Sequence, residues 1–277
     1  MKKLVITGLC LLLGGSIMAD VFYLHANMPT NSSPNDKTLW FDDPVAGTSL
    51  QILGKPTLGN RFDLNGYEFR TATGTSHTFS GTLISRASPL AMMYANMWNL
   101  VGLDVDTGTL LLRPHQTNVT MNISNLTVGS SGYMDLRTLT GNNVVNLSVA
   151  NFSGSGHVRF GITSYLNDTN GVWSLSVTDT TPEFTGTIDL TRGQLTFATS
   201  FVLGDATFAI NSVQTNRVML VNDVTFGNVT FGTNSLATGT YTAAQLNSTF
   251  GTTRFYGTGK ITAGYFQPPL KLVITMN

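Results

Sequence analysis

The chain has 277 residues, with 15 Lys and Arg against 15 Asp and Glu, so its formal net charge is zero. Phosphate neutralisation needs clustered Lys and Arg, and the sequence contains no such cluster, so we do not expect nucleic acid as a partner. Charged residues make up only 11% of the chain, which leaves Asn, Thr, Ser and Gly to supply the polar surface.

The first 19 residues have the pattern of a secretory signal peptide. Lys2 and Lys3 form a positive start, residues 4–15 are apolar, and Ala19 offers a small residue for cleavage. The apolar run is too short to span a bilayer as a helix. Cys10 would leave with this segment, so the mature chain would contain no disulfide. The pattern therefore predicts a secreted or cell-surface protein with no membrane span after signal removal.

Residues 20–60 are irregular and rich in proline, and we interpret them as an N-terminal cap. Trp40 and Phe41 are suited to cover the open end of a stack of strands. An elongated β-structure needs such a cover because its terminal strands are otherwise ready to pair with other chains.

A strand pattern begins at Arg61. Phe62 and Leu64 alternate with polar residues, and Asn65-Gly66 predicts a tight hairpin turn. Residues 90–100 contain good helix formers without Gly or Pro, and they are the only helix candidate after the signal. The alternative for residues 90–100 is a pair of buried strands.

An internal repeat points to the architecture. Leu-Thr-Val at 126–128 recurs as Leu-Ser-Val at 147–149 and at 175–177, with spacings of 21 and 28 residues. A period in the twenties matches one coil of a parallel β-solenoid with three short strands per turn. We therefore expect the Leu and Val residues of all three copies to point inward and to stack in register. The alternative fold is an antiparallel β-sandwich.

The clearest alternation lies in residues 184–210, where Gly-containing turns separate short strands. A Phe-x-Gly-Thr/Ser element occurs at Phe79, Phe152 and Phe184, and Tyr256-Gly257-Thr258 is a related copy.

Residues 184–210 resemble the autotransporter-associated β-strand repeats of bacterial secreted proteins, in the order Phe-Thr-Gly, Gly-x-Leu-x-Phe and Leu-Gly-x-Ala. Residues 239–247 with 255–262 are similar to the closing segment of such proteins, and residues 59–71 to their first coil. The resemblance implies a right-handed parallel β-helix outside the cell. It also implies a surface, adhesive or structural role, without catalytic residues. We expect this chain to lack the membrane barrel of an autotransporter.

The predicted domain boundaries are a signal peptide over 1–19, an irregular cap over 20–60, a β-helix domain over 61–265 and a C-terminal strand over 266–277. Pro268 and Pro269 set the last strand apart from the body of the chain. We expect this strand to pair with residues 260–263 of its own chain, or alternatively with the edge of another molecule.

Few residues offer chemistry. Asp104 and Asp106 lie two residues apart and could hold Ca²⁺, although a solvated turn is the alternative. A carbohydrate-cleaving site would need converging carboxylates with a basic residue, for which Asp135 with Arg137 or Asp189 with Arg192 could supply parts. The alternative is that these charges cap turns and solubilise the chain.

Histidines and asparagines give no catalytic motif. The histidines at 25, 77, 115 and 157 have no metal-ligand spacing. Nine Asn-x-Ser/Thr sequences begin at Asn31, Asn118, Asn122, Asn125, Asn146, Asn151, Asn167, Asn228 and Asn247. We expect asparagines at repeated positions to form a ladder along the coils.

The leading hypothesis for function is a non-enzymatic, secreted β-helix that acts as a structural or adhesive protein of the cell surface or matrix. The alternatives are a polysaccharide-active β-helix enzyme, either a lyase or a hydrolase, and a self-assembling fibre subunit. The expected partners are extracellular glycans, neighbouring surface proteins or further copies of the chain. We assign no catalytic, cofactor-binding or metal-binding residue from the sequence.

Overall fold

The computed structural model describes residues 20–29, 33, 35–53, 59–71, 74, 76–87, 89–93, 96–114, 116–138, 144–161, 170–212 and 215–264. The predicted signal peptide, His115, Asn31, Asn167 and the predicted C-terminal strand lie outside these residues.

The protein is a parallel β-helix of about six turns. Strands account for 60% of it and helix for 7%. Successive coils pair in parallel, which confirms the predicted solenoid over the antiparallel sandwich.

The described elements follow in chain order. The strands before residue 140 are β1 (Val21–Leu24), β2 (Trp40–Phe41), β3 (Arg61–Asp63), β4 (Phe69–Arg70), β5 (His77–Ser85), β6 (Leu90–Met93), β7 (Met97–Pro114) and β8 (Asn118–Leu136). They are followed by β9 (Val144–Gly154), β10 (His157–Phe160), β11 (Val172–Val177), β12 (Glu183–Phe184), β13 (Thr187–Leu190), β14 (Gln194–Phe197), β15 (Phe201–Ile210), β16 (Arg217–Leu220), β17 (Val224–Phe231), β18 (Asn234–Ser235), β19 (Gly239–Thr242), β20 (Phe255–Gly257) and β21 (Lys260–Ala263). A 3-10 turn spans Lys37–Leu39, and the helices are α1 (Leu50–Leu53) and α2 (Ala243–Phe250).

Strand pairing forms three parallel ladders, which we call faces 1, 2 and 3 in the order in which a coil visits them. Face 1 contains residues 77–79, 97–100, 118–123, 144–149, 172–177, 194–197, 217–220 and 255–257. Face 2 contains residues 21–23, 61–63, 82–85, 102–105, 125–128, 151–154, 183–184, 201–203, 224–226 and 261–263. Face 3 contains residues 69–70, 90–93, 109–114, 133–136, 157–160, 187–190, 207–210 and 228–231.

The core lies inside the coils because side chains alternate between the interior and the surface along each strand. One inward column, whose members are at most 2% exposed, runs through Phe62, Leu83, Leu103, Leu126 and Phe152. Burial of each such side chain contributes about 1.5–3 kcal/mol. This repeated gain stabilises a fold that has no disulfide in its described residues.

The Leu-Thr/Ser-Val repeat is confirmed for inward burial but is wrong in one register. All six Leu and Val residues are at most 1% exposed. Leu147 pairs with Leu175, as expected, on face 1. Leu126 instead lies on face 2, opposite Phe152. A three-residue alternation fits any face equally well, so the lengths of the turns, not the repeat itself, decide the alignment.

Two local predictions are wrong. Asn65 and Gly66 do form a turn, with φ angles of 49° and 79°, but the flanking strands do not form a hairpin. Instead β3 pairs with β5, and β4 pairs with β6, because the turn is a corner between faces. The helix predicted for residues 90–100 is the alternative strand pair, β6 and the start of β7.

Glycine is required at the corner between faces 2 and 3, where successive coils approach closely. A Cβ atom on Gly186 would overlap the carbonyl oxygen of Gly156 in the preceding coil. A Cβ on Gly156 would in turn overlap the carbonyl oxygens of Gly129 and Gly132. The glycines of the Phe-x-Gly-Thr/Ser elements at 152 and 184 lie at this corner, and the two phenylalanine rings stack at 4.0 Å.

The N-terminal end of the stack is covered, as the sequence predicts. Trp40 is fully buried, and its ring packs edge-on against Phe62 at 4.9 Å. β2 pairs antiparallel with β1 and so occupies the outer edge of face 2. On face 1, the side-chain amide of Asn35 donates to the carbonyl oxygen of Thr78 at 2.7 Å.

The C-terminal end is also covered, by elements that sequence analysis missed. β19 pairs antiparallel with β21 on face 2, and β18 pairs antiparallel with β17 on face 3. On face 1, α2 packs over the last coil, with Leu246 fully buried. β21 already has β17 on its other side, so the expectation that residues 260–263 accept the C-terminal strand is wrong.

Candidate functional site

Face 1 carries a neutral polar surface. One outward row consists of Thr120, Asn146, Ser174, Thr196, Met219 and Tyr256. In the neighbouring row, Asn122 donates from Nδ2 to Oδ1 of Asn99 at 2.9 Å. On face 2, Asn151 donates in the same way to Asn125 at 2.8 Å. These contacts confirm the predicted asparagine ladder. They satisfy the amides between coils and hold the outward surface rigid.

The candidate calcium ligands are paired with arginines. Asp104 Oδ2 accepts from Arg61 Nη2 at 2.7 Å, although one coil lies between the two residues. Arg86 contacts Asp106 at 3.4 Å and the nearly buried Asp63 at 3.0 Å. Burial raises the pKa of Asp104, and the Arg61 charge opposes this rise. The two arginines therefore supply the compensating charge that a cation would otherwise provide.

No group of three or more His, Cys, Asp or Glu side chains that could hold a metal ion is found in the described residues. The same residues contain no helix with the length and apolar character needed to cross a membrane.

A denser cluster of titratable groups lies on face 3. We call it the face-3 cluster, and it consists of Tyr133, Asp135, His157, Arg159 and Asp189. The strand register places Tyr133 beside His157, and Asp135 beside Arg159, which is followed by Asp189. β8, β10 and β13 supply these side chains from three consecutive coils.

Arg159 is fixed by two contacts within the face-3 cluster. Its Nε and Nη2 donate to the two oxygens of Asp135 at 2.5 and 2.7 Å. Its guanidinium lies 4.6 Å from the ring centre of Tyr133. The side chain of Asp135 is only 4% exposed, and this burial raises the pKa of the carboxyl group against the opposing effect of Arg159. The two-point geometry fixes the guanidinium plane but occupies both oxygens of Asp135.

His157 is the most accessible titratable group of the face-3 cluster. Its Nδ1 donates to Asp189 Oδ2 at 3.0 Å, and its ring stacks on Tyr133 at 4.7 Å. The side chain is 35% exposed. A histidine oriented by a carboxylate at one nitrogen can exchange a proton at the other, so this pair has the form of a general base.

The sequence identified the two aspartates of the face-3 cluster but not their partners. Arg137 is buried at the corner after β8, and Arg159 takes the place expected for it beside Asp135. His157, not Arg192, contacts Asp189. The missing signal was an alignment of residues 133–136, 157–160 and 187–190. Their spacings of 24 and 30 residues differ from those of the Leu-Thr/Ser-Val repeat.

A groove opens on face 2 beside β12 and β15. One part, of about 600 Å³, is lined by residues 177–180, 199–202, Asp223 and Thr225. The adjoining part, of about 460 Å³, is lined by residues 180–185, Val202, Gly204 and Asp205. Thr180 and Val202 belong to both parts, which makes the groove continuous. We call it the face-2 groove.

Comparison with known proteins gives no match to a protein family, to a curated protein or to a solved structure.

Proposed function

We propose that the chain is a secreted, non-enzymatic β-helix that acts as a structural or adhesive protein of the cell surface or matrix. The observation that supports this function best is face 1, where the outward side chains of residues 118–123, 144–149 and 172–177 are neutral. Hydroxyl and amide groups repeat there at the strand spacing of about 4.8 Å. A rigid neutral array of this kind suits contact with an extended surface.

The sequence resemblance to autotransporter-associated repeats supports the same proposal. It covers residues 59–71, 184–210, 239–247 and 255–262, all of which lie in the coils or in the elements that close them. Secretion, through the N-terminal signal pattern, is part of this proposal. The partners are extracellular glycans or neighbouring surface proteins.

The test measures retention of the purified chain on whole cells and on insoluble polysaccharide, together with the release of reducing ends. We expect retention without release. Replacement of Ser148, Ser174 and Thr196 by Glu should abolish retention, because it places three charges on face 1. The matched control replaces Thr207, Ala209 and Thr230 on face 3 by Glu. Equal retention of both triple variants would refute the role of face 1.

A polysaccharide-active enzyme is the second candidate, and the face-3 cluster is the observation that favours it. Two carboxylates, an arginine and a histidine converge there from consecutive coils. If this candidate is correct, the chain releases reducing ends or unsaturated products, and His157→Gln removes that activity. His25→Gln, in the N-terminal cap, is the control.

A further inference from the structure

The face-2 groove exists because the parallel ladder of face 2 is interrupted there. β12 contains only two residues and pairs with β9 on one side. Residues 201–203 of β15 pair with residues 224–226 on their far side. The strand pairing that joins neighbouring coils elsewhere on this face does not link β12 to β15 in the described residues. The two strand edges therefore face each other across the groove.

Side-chain hydrogen bonds hold the interruption open. Asp179 Oδ1 accepts from the backbone N–H of Thr181 at 2.9 Å, and its Oδ2 accepts from that of Phe152 at 3.3 Å. Thr199 Oγ1 accepts from the backbone N–H of Val177 at 2.9 Å and lies 3.1 Å from the carbonyl oxygen of Val177. Pro182 follows, and it has no N–H to contribute to a ladder. The groove is therefore a built feature of this coil.

The lining excludes several classes of ligand. It includes carboxylates at Asp179, Glu183, Asp205 and Asp223 but no Lys, Arg or His. A uronate, sulfate or phosphate polymer would meet repulsion with no compensating cation. Asp179 is occupied as described, and Asp223 Oδ1 accepts from the backbone N–H of Lys260 at 2.8 Å. This use of the carboxylates does not favour a cation site.

The remaining chemistry suits a neutral sugar. Hydroxyl groups of Thr178, Thr180, Ser200 and Thr225 can both donate and accept, and Asp205 can accept from sugar hydroxyls. Val202 is 43% exposed and provides an apolar contact surface on the groove wall. A volume of about 600 Å³ falls within the range of about 300–1,000 Å³ typical of small-molecule sites.

We propose that the face-2 groove binds a neutral oligosaccharide, with its sugar hydroxyls bonded to Asp205 and the threonine hydroxyls and with one sugar face on Val202. The site goes beyond the proposed adhesive function, which face 1 supports on a different surface. It gives the protein a specific glycan ligand in addition to a general adhesive surface.

Val202→Arg is the central variant in the test of this site. The side chain points outward, so a long cation should fill the groove without disturbing the core. The matched control is Val101→Arg, since Val101 is 40% exposed and lies far along the stack in β7. The probes are immobilised β-1,3- and β-1,4-linked gluco-, manno- and xylo-oligosaccharides, with polygalacturonate as the anionic comparison.

We expect the wild-type chain to bind at least one neutral probe and not polygalacturonate. Val202→Arg should weaken that binding at least about tenfold, and Val101→Arg should leave it unchanged. Asp205→Asn should weaken it without changing the melting temperature. Equal binding by wild type and Val202→Arg would overturn the assignment of the groove. Binding of polygalacturonate alone, or of no probe, would overturn the ligand class. The proposed adhesive function is judged separately, by retention of the face-1 and face-3 triple variants.

Discussion

The side chain of Asn247 pairs with the backbone of Phe255 as a neighbouring strand would. Its Nδ2 donates to the carbonyl oxygen of Phe255 at 2.8 Å, and its Oδ1 accepts from the N–H of Phe255 at 2.9 Å. β20 is the last face-1 strand described, and an open edge there would expose paired donors and acceptors to other chains. One amide in α2 thus takes the place of the next coil.

Asn247→Ala should destabilise the C-terminal end of the stack. The change leaves a donor and an acceptor of the nearly buried Phe255 without partners, which costs about 1–3 kcal/mol. The measurement is the free energy of unfolding in urea, combined with light scattering to detect association. Asn228→Ala is the control, because Asn228 is exposed on β17. If both variants unfold at the same urea concentration, the edge-covering role is wrong.

The position of α2 was readable from local sequence, although sequence analysis did not identify it. Thr242 and Gln245 form a capping box, in which the Thr242 side chain accepts from the Gln245 backbone N–H and the Gln245 side chain accepts from the Thr242 backbone N–H. Gly251, with φ of 60°, ends the helix in the left-handed region. The contact of Asn247 with Phe255 was not readable, because it depends on how α2 folds back over the last coil.

Leu147→Asp should strongly destabilise the protein. Leu147 is 1% exposed and lies between Met121 and Leu175 on face 1. A carboxylate there has no partner, so the expected loss is at least about 3 kcal/mol. The adjacent Ser148→Asp points outward and should change the melting temperature little. A Leu147→Asp protein that melts with the wild type would show that the inward register is wrong.

The alternation of apolar and polar residues was enough to predict which side of each strand is buried, as Leu147 and Leu175 illustrate. It was not enough to predict which residues become neighbours. The step along the chain to the next coil ranges from 20 residues, between Thr187 and Thr207, to 37 residues, between Val224 and Ile261. Because the turns set this step, the face-3 cluster and the face-2 groove could not be assembled from the repeat alone.

Gly186→Ala should destabilise the corner between faces 2 and 3. The added methyl group would meet a backbone oxygen of Gly156, and backbone cannot move aside as a flexible side chain can. We expect a loss of about 1–3 kcal/mol in the free energy of unfolding. Gly74→Ala is the matched control, since the nearest atom to its new methyl group is His77 Nε2 at 3.8 Å. A wild-type melting temperature for Gly186→Ala would refute the close approach of the two coils.

The buried carboxyl of Asp135 should make stability depend on pH in a defined direction. Burial raises its pKa above the ordinary value of 3.8 in the folded chain. Between the unfolded and folded pKa values the folded chain binds more protons, so its free energy of unfolding falls as pH rises through that interval. The difference in free energy of unfolding between wild type and Asp135→Asn should therefore fall as pH rises above 3.8.

Asp43 provides a control of opposite sign. Backbone hydrogen bonds from Ala46 and Val45 lower the pKa of its carboxyl group. The difference between wild type and Asp43→Asn should accordingly rise with pH through the interval below 3.8, since the ionised form is the one favoured by folding. Urea unfolding of both variants over pH 3–7 measures the two slopes. Slopes of the same sign would contradict the pKa shift assigned to Asp135.

Deletion of residues 268–277 should leave the coil stack intact. Both sides of β21 are occupied, by β17 and β19, so removal of the last strand does not open that edge. We expect the truncated chain to keep its melting temperature and to stay soluble, as measured by calorimetry and size-exclusion chromatography. If the full chain forms an assembly that the truncated chain does not, the C-terminal strand pairs between molecules, and the fibre-subunit hypothesis becomes the stronger one. A lower melting temperature would instead show that residues 268–277 pack on their own coils at a place other than β21.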